Sequence, residues 1–481
     1  MILRWSEAGV SRLAATRRAR TDVVWRAAMG LQLGAPTPDE KTLREFEQFL
    51  RRRHPDGDRS RYLVIHEHFV RLCVDKGLGA EDAVWGTDST PMWCYGAVLD
   101  TVRLLGDGVR KLARLWAKAQ KTGILQVAQR WSLSRLISAK STKGGLDIDW
   151  RVREARAEGL DALARAVGGA VDDVYRGLEQ VRPDMRKELL RLGRRLLTVI
   201  TQDLEADEQG RLVIARKVAP GRLASLTDPE ARHGRKSSSH TYTGFKVHVL
   251  GDCVSGLIAS LTVTHGSQHD ATVTPRLVHR AKELIDSFDQ LLADTAYGGA
   301  KLRHDLANVA AVYVLAPPPM GSRVKEGRLA KQEFAIDFDA KTATCPNSAT
   351  AATRDDVWSN DYDKSVWRFG WSRKDCDPCP LGAQCLGKGA RSKRLKLHAY
   401  ERELRQARAD WDDPEVRKAY RQRSQHERLI NQLTRHGARQ ARAWGLSAAN
   451  LQAHTIAMST NLTLLAQRLA RTMEDERPLA A

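Results

Sequence analysis

LLADTAYGG, residues 291–299, closes a short apolar run on a carboxylate and then turns away through two glycines. With the residues before it, FDQLLAD reads as a buried strand ending at Asp294. A carboxylate at a strand end is fixed by the sheet, while the departing loop leaves room for a substrate. The competing reading is an aspartate capping a turn or a helix start, the commoner use of the residue. Gly298 and Gly299 are expected to free the backbone for the turn.

Outward from this stretch the pattern is that of a mixed α/β sheet. AAVYVLAP, from residue 310, reads as a further buried strand, and GFKVHVLGDCVSGLIASLTVTHG, from 244, as a hairpin broken at Gly-Asp and Ser-Gly. DATVTPRLVHRAKELI reads as a helix, and Asp270, which resembles a site acid but stands where that helix begins, reads as its N-cap. Further upstream, AVWGTDSTPMW is a β-prone approach to Asp88 followed by a Thr-Pro break, so Asp88 is also expected to end a strand.

The rest of the chain has helical texture. In PDEKTLREFEQFLRRRH, Leu43, Phe46, Phe49 and Leu50 recur at helical spacing, and Arg12, Arg17, Arg18, Arg20 and Arg26 surround a short helix before it. Val102, Leu105, Val109, Leu112 and Trp116 mark the first of several long helices. The expected organisation is a basic helical region over 1–82, read as DNA-binding or as a plain three-helix bundle with solvated arginines, a first core strand over 83–100, and a helical insertion over 101–215. Core strands and a helix follow over 216–318, then a Cys-rich insertion without regular patterning over 319–399 and C-terminal core helices over 400–472.

Charge narrows the function. The chain has 481 residues, a net charge of +20 and a pI near 9.8, an excess of cations that favours a polyanion such as nucleic acid. No apolar run is long enough to span a membrane and no secretory leader is recognisable, so a soluble, cytoplasmic protein is expected. Seven cysteines in a chain of this length do not make a disulfide framework.

Three acids stand out against this basic background, because phosphodiester chemistry needs divalent cations held by two or three carboxylates. Asp88 and Asp294 are two. A third is Glu427, one helical turn after Arg423, with Tyr420 one turn earlier. From 391 to 442 there are 15 Lys/Arg against 7 Asp/Glu, so Glu427 taken by itself reads better as a surface salt-bridge partner. Arg232, Arg235 and Lys236, in ARHGRKSSSHTYTGFK, are either DNA-backbone contacts or a solvated loop. Cys345, Cys376, Cys379 and Cys385, with Pro346, Pro378 and Pro380 beside them, suit a small structural zinc site or are four reduced thiols.

The spacing of Asp88, Asp294 and Glu427, with SLTDPEARHGRKSSSHTYTGFKVHV, LLADTAYGG and ERLINQLTRHGARQARAWG, resembles the DDE-type transposases of bacterial insertion sequences over about residues 40 to 468. The resemblance implies an RNase H-like core and a metal triad of Asp88, Asp294 and Glu427 holding two Mg²⁺ ions, with Mn²⁺ as a substitute. It also implies cleavage of double-stranded DNA at terminal inverted repeats, joining to target DNA, a homodimer on paired ends and a nucleoid-associated location. The related signature Tyr-x2-Arg-x3-Glu-x6-Lys matches at Tyr420, Arg423 and Glu427. Its Lys position is Thr434, with Arg435 beside it as the nearest phosphate-gripping cation. Arg423 can grip a phosphate through its planar fork, and Tyr420 can stack on a base or sugar. Two alternatives stay open: a DNA-binding copy that has lost catalysis, and an RNase H-like metal-dependent nuclease that cuts without joining.

Overall fold

The computed structural model describes residues 1–7, 9–55, 57–79, 82–236, 239–319 and 327–475. At its centre is a six-stranded mixed sheet of β1 (Trp85–Trp93), β2 (Arg232–Arg235), β3 (Thr241–Asp252), β4 (Ile258–His265), β5 (Gln290–Leu292) and β6 (Tyr313–Leu315). The spatial order is β4-β3-β1-β5-β6, with β2 paired to the first residues of β3. β3 is antiparallel to both β4 and β1, whereas β5 and β6 run parallel to β1.

Side-chain alternation divides the sheet between two cores. Met92, Val247 and Val249 pack against Leu429, Leu433, Ala449 and Ile456 of the helices Ser424–Leu433 and Leu446–Asp475. Trp85, Leu250, Leu291 and Val314 pack on the opposite side with Leu277, Leu302, Val70 and Cys73 from the helices Thr274–Lys282, Ala300–Ala310 and Arg61–Asp75.

Both edges of the sheet are closed by side chains. Along β4, Asn450 bonds the N–H and C=O of Val263 at 2.9 and 3.0 Å, and Asn461 bonds those of Ile258 at 3.0 and 3.0 Å. Eleven helical residues rise about 16 Å, as do five residues of strand, so the two amides match the edge in register. Along β6, the buried Arg303 donates to the carbonyls of Val314 and Ala316, both at 2.6 Å. Satisfied edges do not recruit other strands.

The first strand is longer than its sequence suggests. β1 continues through Ser89, Thr90 and Pro91, which pair with His248, Val247 and Lys246, so Asp88 lies inside the strand rather than at its end. Pro91 is tolerated because β1 pairs with β5 only at Gly86. Two residues on and facing the same way, the Trp93 N–H bonds the Arg439 carbonyl at 2.8 Å. The missing donor of Pro91 therefore faces an edge without a strand.

The remaining segments carry their own cores. Helices Thr101–Gln120, Arg153–Arg176 and Pro183–Asp203 enclose Leu105, Val109, Leu112, Trp116, Val167 and Leu196. Residues 335–396 form two small sheets, Ala335–Asp337 with Thr342–Thr344 and Thr353–Ser359 with Lys364–Gly370 and Arg394–Lys396, around Phe334, Phe369, Trp371 and Leu395. This corrects the expectation of a segment without regular structure. In the N-terminal region, Arg12 pairs with the buried Glu47, Arg18 pairs with Glu7, and Arg26 donates to the carbonyls of Ala19 and Ala35. Of the five arginines read as a basic face, these three are therefore spent on internal contacts. Phe46 and Phe49, expected in the core, are exposed and stack at 6.2 Å. No helix among the described residues is long and apolar enough to cross a membrane.

Candidate active site

Where β1 runs on past the last residue paired with β5, the sheet has a notch. A cavity of about 630 Å³ fills it, lined by Asp88, Asp294, Glu427, Asp270, Arg423, Arg235, Lys236, Lys246 and Arg439 among others. Residues nearly 340 positions apart in sequence, from 88 to 427, meet there.

Each acid is presented by a different device. Asp88 is held by β1, accepts the N–H of Ser89 at 2.7 Å and faces Arg423 Nη1 at 3.5 Å. Asp294 follows β5 and accepts the Ala296 N–H at 2.8 Å, capping the short turn Thr295–Tyr297. Both readings of Asp294 thus hold, strand end and turn cap. Gly298 and Gly299 have ordinary negative φ values of −70° and −62°, so the turn does not need their freedom. Gly298 is required for space, since a Cβ there would stand 2.2 Å from the Pro317 carbonyl oxygen.

Glu427 is brought in by close helix–strand contact. A Cβ on Gly86 would lie 2.8 Å from His426 Cδ2 and 2.9 Å from Cys253 Sγ, so a glycine in β1 lets the helix Ser424–Leu433 approach. His426 faces the sheet, fully buried, and Glu427 faces the cavity with 64 % of its side chain exposed. Arg423 Nη2 stands 3.7 Å from Glu427. Arg423 lies in the 3-10 turn Arg421–Arg423, between the helix Pro414–Tyr420 and the next, so the helix read as continuous is broken there. Tyr420 packs edge-on to Trp411 at 4.9 Å and supports the Arg423 guanidinium at 6.0 Å.

Burial raises the Asp88 carboxyl to about 6, and Asp294 and Asp270 push the same way, while the Ser89 N–H and Arg423 pull it back. The Tyr297 hydroxyl, in the residue pair after Asp294-Thr295, is buried and is also held above the ordinary phenol range, first by burial and then by these three carboxylates, while Ser89 pulls the other way.

The sequence reading of other residues needs correction. Asp270 is not the N-cap; the N-cap of the short turn Asp270–Thr272 is His269. The Asp270 carboxylate instead pairs with Lys246 at 2.9 Å inside the cavity. Its preceding Gly-Ser-Gln-His run was the cue, because it carries the chain off β4 at the same end of the sheet. Arg235 and Lys236 line the cavity, but Arg232 turns back to the carbonyls of Pro229 and Ala231. The three belong to a strand and its exit rather than to a loop. Arg435 is exposed and outside the cavity, while Arg439 lines it. The π-turn Thr434–Ala438, with Gly437 at φ 100°, redirects the chain between them.

Cys345, Cys376, Cys379 and Cys385 are free thiols around the small 335–396 core. Burial raises the Cys385 thiol, Lys393 pulls it back, and the other three thiols push it up again. Among the described residues, no three His, Cys, Asp or Glu side chains converge closely enough to hold a metal ion as they stand. The carboxylates of the cavity nevertheless fit a hard divalent cation in donor chemistry, and the thiols fit a soft one.

Residues 344–466 match the family described as Transposase DDE domain. The match supports a DDE-type transposase, an enzyme acting on DNA. It includes Tyr420, Arg423, Glu427 and the four late cysteines, and leaves out Asp88 and Asp294. No solved structure matches the chain.

Proposed function

We propose that the chain is a transposase that cuts DNA at the inverted terminal repeats of an insertion sequence and joins the freed 3′-hydroxyl ends to target DNA. The observation that carries this reading is the meeting of Asp88, Asp294 and Glu427 around one cavity rimmed by arginine and lysine. The strand order β4-β3-β1-β5-β6, with three antiparallel and two parallel strands, supports an RNase H-like core.

Asp88, Asp294 and Glu427 would hold two Mg²⁺ ions, or Mn²⁺ in their place. Bound there, the cations supply activation of the attacking oxygen and neutralisation of the charge that builds on the phosphate. The side chains do the rest. Arg423, braced by Tyr420, aligns the phosphate through its fork, and Arg235, Lys236 and Arg439 hold the flanking backbone. In cleavage a water oxygen displaces a 3′-hydroxyl-bearing strand, and in joining that hydroxyl displaces a target 3′-oxygen. A second copy of the chain on the other element end would pair the two reactions. The four cysteines would take a structural Zn²⁺.

Asp294→Asn tests the assignment. Asparagine keeps the cap on Ala296 but lacks the charge a divalent cation requires. The variant is expected to melt like wild type, shift a duplex taken from the DNA flanking its own coding sequence with unchanged affinity, and neither cut nor join it. Retained cleavage would overturn the triad. Cleavage without joining by the wild type would favour the nuclease alternative.

A further inference from the structure

A second cavity, of about 750 Å³, adjoins the first and shares Arg235, Lys246 and His269 with it. It lies between the segment leaving the helical insertion, with Lys217 and Arg222, and the β2–β3 hairpin. Lys246 stands where the two meet. Its side chain is only 12 % exposed, and its ammonium is anchored twice, to Asp270 at 2.9 Å and to the Gln268 carbonyl at 2.9 Å. An ammonium has three donors, and because the Asp270 contact is an ion pair in which Oδ1 accepts no hydrogen bond, only the Gln268 carbonyl takes an N–H and the rest stay available to a ligand.

Neighbouring charge fits the same use. Arg235, exposed at the end of β2, forms no ion pair among the described residues, and neither does Lys217. In contrast, Arg222 is committed to Asp203 at 2.6 Å and to His233 at 3.1 Å, which docks the insertion on the hairpin. Exposed Ile214 and Val218 supply apolar surface on the far wall. A chain of anions with apolar faces between them matches this lining, and that is the chemistry of a nucleic-acid strand.

We propose that Lys246, held by Asp270 and the Gln268 carbonyl, forms a phosphate subsite through which the DNA strand passes from the acid cavity into the second one. This rests on the transposase reading and extends it to the path of the strand. Asp270 is a positioning residue, acting through Lys246.

Single methylphosphonates test it, each removing one phosphate charge from a duplex of the flanking DNA, with binding read by gel shift in EDTA. In wild type, one position beside the scissile phosphate should cost about tenfold in affinity. Lys246→Gln should be weaker by a similar factor on unmodified DNA and indifferent to that one substitution, while Lys246→Arg keeps the sensitivity. If the two losses multiply at every position, Lys246 touches no phosphate and the proposal is overturned while the transposase reading stands. Wild-type protein that binds no flanking DNA overturns both. Should Lys246→Gln fail to fold, Asp270→Asn is read in the same way: reduced sensitivity at that position supports the subsite, and unchanged sensitivity rejects it.

Discussion

Asp88 pairs across the sheet with Val249, beneath Arg423, in a site that raises its carboxyl from the usual 3.8 to about 6. The sign of the consequence is fixed. Below pH 4 the group is neutral in both folded and unfolded chains, and above pH 6 it is ionised in both, with the folded chain bearing the full cost of the buried charge. Asp88→Asn should therefore stabilise the protein in EDTA above pH 6 by roughly 2–3 kcal/mol. The gain should shrink between about pH 6 and 4 and vanish below. Urea melts of both proteins across that range check it, and a gain that grows on acidification would show the wrong sign of shift. Instability of this kind is common where a site needs charge in a place that the fold alone would leave apolar.

At the scale of elements, the β4 edge depends on two amides. Asn461→Leu keeps the volume approximately and leaves the N–H and C=O of Ile258 without partners, which should cost roughly 2–4 kcal/mol. Asn461→Asp, which keeps only the acceptor, should destabilise as well. A melting temperature unchanged in the leucine variant would mean that water or a shift of the helix satisfies the edge. The cysteine segment gives a second test. Cys376→Ser with Cys379→Ser should lower the melting temperature and release one zinc per chain, because metal affinity there is folding free energy. Wild-type protein purified without zinc would remove that role.

These elements also show which parts of the molecule could be read from its residues. The hairpin Thr241–His265 was legible because it is a nearly continuous run of β-prone, buried residues broken by turn pairs, the helix from Thr101 because its apolar residues recur at helical spacing, and Asp294 because a glycine pair follows its strand. The continuation of β1 past Asp88 was hidden, since Pro91 reads as a break unless the neighbouring strand is known to stop. The strand pair Thr353–Gly370 opens on four consecutive polar residues, Thr353 to Asp356, and its first strand is mostly exposed, so it gives no strong local signal. Asp270 looked like a cap because its partner, Lys246, lies on a different strand.

Over the whole molecule, the central sheet and the helical insertion share a joint but no core. Every fully buried residue of the insertion cluster lies between Leu104 and Leu226, and the incoming and outgoing segments touch where the Leu99 N–H bonds the Ala224 carbonyl at 3.2 Å. Beyond this bond, the Arg222 pairings with Asp203 and His233 hold the joint. Two cores linked by a small polar joint unfold separately when their stabilities differ. Calorimetry of the wild type should resolve two transitions. Replacing residues 101–222 by a short Gly-Ser linker, with Leu223→Ser and Leu226→Ser to remove the exposed ends of the lost core, should abolish one and leave the other within a few degrees of its original midpoint. The core strands β1 and β3 would stay paired, because their register from Trp85↔Asp252 to Trp93↔Gly244 involves no residue of the insertion. A single transition in the wild type, together with an unfolded deletion variant, would show instead that the sheet needs the insertion to fold.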